Sequence, residues 1–272
     1  MGLFSGTLLI SDIDGTLITY KGELPKNNIE AIEYYISEGG LFTLATGRGV
    51  PSARRYINKI VHNCPPVIMN GGAIYDFESE SFLWVKKLPD SAKDCVKNIM
   101  EKFPQMGIQV YCDKSLYVIR DSVTCQNMVS HEKLEPIFAA FEDISDKDWN
   151  KVLCLAPLEF VLEMIEYLDK TEPDGFYFCR TQVEYYEIMA IGADKGNALK
   201  RLAEIKGIKH ENTFAIGDYY NDAALIEGAG YSSYTENAPD ELKKDADYIS
   251  AHCSDGAVAD FIEHLRGKML SY

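Results

Sequence analysis

Leu8-Leu9-Ile10-Ser11-Asp12-Ile13-Asp14-Gly15-Thr16-Leu17 is the stretch on which the fold turns. Leu8-Leu9-Ile10 is a short apolar run of the kind that forms a strand buried on both faces. Gly15 marks a turn just beyond it. Asp12 and Asp14 therefore fall at the C-terminal end of a strand, two residues apart. Side chains alternate along a strand, so residues at that spacing point to the same side. Two such carboxylates repel one another unless a cation holds them. An ordinary acidic glycine turn has the same local composition, so the pair gains meaning only from what else reaches such strand ends.

Downstream of this stretch, residues 27–38 put Ile29, Ile32, Tyr35 and Ile36 on one helical face, and Gly39-Gly40 stops that helix. Leu41–Ala45 reads as a second buried strand, ending at Thr46-Gly47-Arg48. A helix over 51–61, with Pro51 in its first turn, leads to a third strand over 66–69 that ends at Asn70-Gly71-Gly72. Three strand–loop–helix units in a row predict a parallel sheet, whose ligands bind beyond the C-terminal ends of the strands.

The same pattern resumes late in the chain. A helix over 194–206 turns Leu199, Leu202 and Ile205 inward, and a strand over 213–216 ends in Gly217-Asp218. A helix over 222–227 follows, and the tail over 240–265 reads as helix, short strand, helix. Between these halves, strand pairs over 108–112 and 116–120 and over 175–180 and 183–188 flank turn signals, with helical patterns over 92–103 and 158–170. The expected architecture is α/β: a Rossmann-like parallel sheet core sandwiched by helices, built from 1–81 and 188–272, with an α+β domain of 82–187 inserted.

Polar and acidic residues recur at these strand ends. Gly217-Asp218 followed by Asn221-Asp222 is a second acidic cluster. Magnesium takes a few carboxylates, a carbonyl and water in octahedral geometry, which the Asp12 and Asp218 side chains and the Asp14 carbonyl would satisfy. Asp222 taken alone reads as a helix cap. The Thr46 hydroxyl and the N–H groups of the Thr46-Gly47 turn can hold a phosphate oxygen. Lys195-Gly196 opens a helix, where a cation opposes the helix dipole unless an anion lies beside it.

Taken together, Asp12-Ile13-Asp14-Gly15-Thr16-Leu17, Thr46-Gly47-Arg48, Asp194-Lys195-Gly196 and Gly217-Asp218-Tyr219-Tyr220-Asn221-Asp222 resemble the four ordered motifs of the haloacid dehalogenase-like hydrolases. More narrowly, the chain resembles the Cof-type phosphatases, the subgroup IIB members with a large cap inserted between the second and third motifs. The resemblance implies that Asp12 attacks phosphorus and carries an aspartyl-phosphate, while Asp14 protonates the leaving oxygen and then activates water. It implies that Thr46, Gly47 and Lys195 bind the phosphoryl group, that Asn70 and Gly71 line the site, and that Arg48 reaches substrate. Asp12, Asp14 and Asp218 would hold Mg2+, with Asn221 and Asp222 in support. The implied activity is a Mg2+-dependent phosphatase acting on a small phosphorylated metabolite, such as a sugar, cofactor or nucleotide phosphate.

Phosphotransfer to a second sugar hydroxyl, as in a phosphomutase, would use the same site. A phosphorylation switch fits less well, because receiver domains are shorter and lack an inserted cap; an inactive binding module is disfavoured by the full set of catalytic residue types. Two positions depart from the Cof-type pattern: Asp194 stands where a small or hydroxyl residue is common, and residues 231–238 replace a more apolar run. Tyr185, Tyr186 and Glu187 are candidate readers of the leaving group, although aromatic packing at a domain junction is the stronger explanation of each.

Composition narrows the partners. The chain has 272 residues, 46% hydrophobic and 25% charged, enough to bury a real core. With 42 acidic and 27 basic residues its net charge is −15, which disfavours nucleic acid and anionic membrane as partners. An anionic substrate therefore needs local positive charge, and a metal ion is the natural source. Seven cysteines, an odd number without a C-x-x-C pair, argue for reduced thiols in a cytoplasm rather than disulfides or zinc. The N-terminus has no signal-peptide pattern, and Gly6 stands where a myristoylation signal needs Ser or Thr. The sequence leaves the oligomeric state open.

Overall fold

The computed structural model describes residues 2–271. β1 (Leu8–Asp12) is buried along its whole length between two parallel neighbours, which is why its sequence opens as an unbroken apolar run. It is followed by α1 (Lys26–Ser37), β2 (Leu41–Ala45), α2 (Val50–Ile57) and β3 (Val67–Ile68). β3 is shorter than the expected 66–69 because Met69 and Asn70 both turn to φ 53, and the chain coils into a short 3-10 turn over Met69–Gly71. β4 (Ala73–Asp76) then returns antiparallel to β3, and β5 (Ser81–Val85) lies beyond it.

The inserted segment forms its own sheet. It runs α3 (Asp90–Lys102), β6 (Gly107–Cys112), β7 (Ser115–Arg120), α4 (Val123–His131), β8 (Ile137–Phe138), α5 (Phe141–Ile144), β9 (Trp149–Leu155), α6 (Leu158–Leu168), β10 (Phe176–Gln182) and β11 (Tyr185–Ala190). The strand order is β10-β11-β9-β6-β7-β8, antiparallel except for the parallel β7–β8 pair. Val96 and Ile99 of α3 and Val161 and Met164 of α6 pack onto Ile108, Val110, Val152, Cys154 and Ile188. The other face of β9 and β11 carries the buried ion pair Lys151–Glu187, at 2.5 Å.

The chain then completes the first sheet with α7 (Lys195–Lys206), β12 (Thr213–Gly217), α8 (Ala223–Gly228), β13 (Tyr231–Thr235), α9 (Asp240–Lys243), β14 (Tyr248–Ser250) and α10 (Ala257–Met269). Its strand order is β14-β13-β12-β1-β2-β3-β4-β5, with every pair from β14 to β3 parallel. Ala198, Leu199 and Leu202 of α7 and Leu225 of α8 share one core with Leu8, Ile10, Ala45 and Ala215 of the strands. Ile205, expected to face inward, is 39% exposed. α1 and α10 pack on one another, with α1 also against β2 and α10 against β14. The helix-flanked parallel α/β sheet with an inserted α+β region is borne out.

Two compact units result: Met1–Gly47, Arg54–Trp84 and Asp194–Tyr272 form one, Arg48–Ala53 and Val85–Ala193 the other. The second therefore starts and ends later than the expected 82–187. β5 belongs to the large sheet, and β11 keeps its pairing to Ala190. It also takes in Arg48–Ala53, which the sequence had assigned with the core.

Candidate active site

Four parallel strands, β3, β2, β1 and β12, lie side by side in the large sheet, and their C-terminal ends carry the polar residues. Asp12 ends β1 and is 7% exposed. Beyond it the chain folds into a tight turn in which the Leu17 and Ile18 N–H groups both donate to the Ile13 carbonyl. Buried Asn28 of α1 anchors this turn: its Nδ2 donates to the Leu17 carbonyl at 2.9 Å, and its Oδ1 accepts from the Ala259 N–H of α10.

Lys195 is the first residue of α7 and is fully enclosed. Its Nζ donates to Asp12 Oδ1 and to Asp222 Oδ1, each at 2.6 Å. These carboxylates are the anions that resolve the unfavourable position of a lysine at a helix N-terminus. Asp194 supplies the helix cap, accepting from the Asn197 N–H at 2.8 Å, so the residue that departs from the Cof-type pattern has a local structural task. Asp222 stands at the N-cap position of α8, but its side chain makes no cap hydrogen bond there. Its Oδ2 instead accepts from the N–H groups of Asp218 and Tyr219, at 3.0 and 3.1 Å, which closes the loop after β12.

Asp12, Asp218 and Asp222 offer carboxylate oxygens that all lie within 4.8 Å of one another. With Lys195 as counter-charge, the ionised cluster leaves two negative charges unmatched. Burial pushes the Asp12 carboxyl well above the ordinary range, against the pull of Lys195 and with repulsion from Asp222 and Asp218. Burial and the neighbouring Asp222 raise Asp218 to about 6. Burial alone would lower Lys195, but the attraction of Asp12 and Asp222 outweighs it and raises the ammonium above its usual value. A largely buried cluster of oxygen donors with excess negative charge fits a hard divalent cation. Asp14 lies outside this carboxylate cluster: it is exposed, in the turn past the strand, bridged to Ile18. The strand ends at Asp12, so the strict alternation of strand side chains does not extend to Asp14.

The remaining expected residues gather around the same strand ends, with one exception. Thr46 is buried just after β2, its N–H spent on the Val67 carbonyl at 3.0 Å, so that N–H cannot also serve a phosphate. Gly47 sits against Asn70, whose Oδ1 accepts from Asn221 Nδ2 at 3.3 Å and so joins the ends of β3 and β12. Gly71 has φ +94, and a Cβ there would stand 2.0 Å from the Asp194 carbonyl carbon, so only glycine lets this turn touch the start of α7. Arg48 is the exception: it pairs with Glu132 within the second unit, and Ser52 Oγ donates to the same carboxylate at 2.7 Å. Of the possible leaving-group readers, Tyr186 stacks on Phe178 in the core of that unit, and Glu187 is bonded to Lys151.

Several residues went unnoticed in the sequence. Thr16 Oγ1 donates to Asp218 Oδ1 at 2.7 Å, and Tyr20 OH donates to Asp218 Oδ2 at 2.5 Å, across 202 and 198 residues of chain. Asn237 Nδ2 donates to the Gly15 carbonyl at 2.8 Å, while its Oδ1 accepts from the Cys253 N–H. Thr16 lies inside a recognised motif; Tyr20 and Asn237 carry no local signal.

A family model for haloacid dehalogenase-like hydrolases matches residues 9–262. The chain belongs to that family. The Cof-type resemblance of the four motifs is thereby borne out, and this haloacid dehalogenase-like hydrolase is an enzyme. It is 24% identical over 282 residues to the 5-amino-6-(5-phospho-D-ribitylamino)uracil phosphatase of Bacillus subtilis, spanning 93% of this chain and 96% of that one. It is 24% identical over 261 residues to the pyridoxal phosphate phosphatase of Escherichia coli, spanning 92% and 95% of the two chains. A crystal structure from Thermotoga maritima superposes with a TM-score of 0.81 at 25% identity, over 95% of this hydrolase and 97% of that chain.

Proposed function

We propose that this hydrolase is a Mg2+-dependent phosphatase that removes phosphate from a small phosphorylated metabolite, with Asp12 as nucleophile. The observation that carries the reading is the meeting of Asp12, Asp218 and Asp222 within 4.8 Å around the buried Lys195. Asp12, Asp218 and the backbone at Asp14 would hold Mg2+, with Asp222 fixing the loop and Lys195. The ion would supply positive charge that lets a carboxylate approach an anionic phosphate.

Lys195 holds Asp12 Oδ1 and keeps the group oriented. In the first step an Asp12 oxygen bonds to phosphorus, the bond from phosphorus to the ester oxygen breaks, and Asp14 gives its proton to that leaving oxygen. In the second step Asp14 takes a proton from water, the water oxygen bonds to phosphorus, and Asp12 leaves as a carboxylate with inorganic phosphate released. An exposed Asp14 suits this shuttle, because it can exchange protons with solvent. The Thr46 hydroxyl at the adjoining strand end and the Lys195 ammonium would stabilise charge on the transferring group. The relatives named for a ribitylaminouracil phosphate and for pyridoxal phosphate support small phosphate monoesters as the substrate class.

Inorganic phosphate release over a panel of sugar, cofactor and nucleotide monophosphates tests the reading. Release is expected with Mg2+ and should be lost on chelation. Undiminished hydrolysis in the presence of chelator would contradict the metal assignment, and phosphate that appears only on an added acceptor sugar would replace hydrolysis by phosphotransfer.

A further inference from the structure

Asp218 is 1% exposed, yet one of the two hydroxyls that hold it belongs to a largely exposed residue. Tyr20 is 68% exposed, so core packing does not explain it. Its hydroxyl nevertheless reaches in to Asp218 Oδ2 at 2.5 Å, while Thr16 holds Oδ1. The turn that carries Tyr20 is closed by the Thr19 N–H on the Glu23 carbonyl and the Gly22 N–H on the Thr19 carbonyl. Gly15 makes room for it: at φ +91, a Cβ there would stand 2.4 Å from Asp218 Oδ2 and 2.6 Å from the Tyr20 ring. Asn237 fixes the Gly15 carbonyl from the far side of the chain.

We propose that Tyr20 is a positioning residue for the metal site, its hydroxyl fixing the Asp218 carboxylate in the orientation that takes up Mg2+. The inference rests on the Mg2+ reading above. A carboxylate oxygen has two acceptor positions, so Oδ2 can accept from Tyr20 and still face a cation. Without that hydrogen bond Thr16 is the one remaining hydrogen-bond donor to the carboxylate among the described residues, and rotation about the last side-chain bond is soft. Hydrogen bonds behind a metal ligand are worth about tenfold to a hundredfold in metal affinity.

Titrating MgCl2 into the metal-free full-length protein by calorimetry, without substrate, tests this. Both Tyr20→Phe and Tyr20→Ala are expected to bind Mg2+ about tenfold more weakly than wild type. Phosphate release lost at limiting Mg2+ should return as Mg2+ is raised, which a folding defect would not allow. An unchanged or tighter Kd in Tyr20→Phe overturns the proposal. So does a weakening confined to Tyr20→Ala, which assigns the effect to the ring over Gly15. A wild type that takes up no Mg2+ removes the metal reading itself and this inference with it, whereas failure in the variants alone leaves that reading standing.

Discussion

Lys195, itself fully buried, stands 2.6 Å from two carboxylates, and that contact sets the chemistry open to Asp12. In such a site a charge is tolerated only with its partners in place. Asp12→Asn keeps the shape and a hydrogen-bond acceptor for Lys195 but removes the nucleophile. Its kcat for phosphate release is expected to fall by at least about a thousandfold with an unchanged circular dichroism spectrum. Activity within tenfold of wild type would rule out attack by Asp12. Asp12, Lys195 and Asp218 were legible as residues because each sits in a motif at a strand or helix end. Their partners were less so. Arg48, read as a substrate contact from its place after Thr46-Gly47, is paired with Glu132, 84 residues away. No local pattern carries that pairing.

At the scale of elements, buried strands with continuous apolar sequence could be read closely. Leu41–Ala45 matches residue for residue, and the tail is indeed α9, β14 and α10 in that order. β9 and β13 were missed for a shared reason. β9 is buried throughout but contains Asn150 and Lys151, and β13 reads Tyr-Ser-Ser-Tyr-Thr with four of five residues buried. Polar residues satisfied inside a sheet erase the hydrophobic period on which strand reading depends. Lys151 needs Glu187 on β11, and the Ser233 hydroxyl meets that of Ser250 on β14 at 2.7 Å. The contact between the turn after β3 and the start of α7 is equally tertiary. Gly71→Ala would place a methyl group against the Asp194 backbone in a left-handed conformation. It is expected to cost about 2 kcal/mol or more of unfolding free energy in urea titration. Because α7 carries Lys195, kcat should also fall, by on the order of a hundredfold for a shift of about 1 Å.

At the scale of the whole molecule, the excess of acid is both global, at −15, and concentrated in one buried cluster. Asp218 is raised from 3.8 to about 6, so the folded protein holds a proton there that the unfolded chain has released. Its contribution to stability is full below the unfolded value and is lost as pH rises through about 6. Mg2+ and that proton compete for the same oxygens, so the ion should compensate what ionisation costs. The rise in Tm on adding Mg2+ is therefore expected to be several degrees larger at about pH 7.5 than at about pH 5. Equal increments at the two pH values, read by scanning calorimetry, would mean that Asp218 does not titrate in this window.

The parallel α/β core, the inserted α+β region and the acidic and basic groups at the strand ends were all legible in the amino-acid order, because apolar periodicity, glycine turns and short motifs are local properties of a chain. Asp12 could be read as an acidic residue at the C-terminal end of a buried strand. It took long-range packing to bring Asp12, Asp218 and Asp222 into one buried site with Lys195, to leave Asp14 in an exposed turn and to carry Tyr20 to Asp218. Charge balance inside a folded protein depends on distance and burial, and here both are set by contacts between residues 183 to 202 positions apart in the chain.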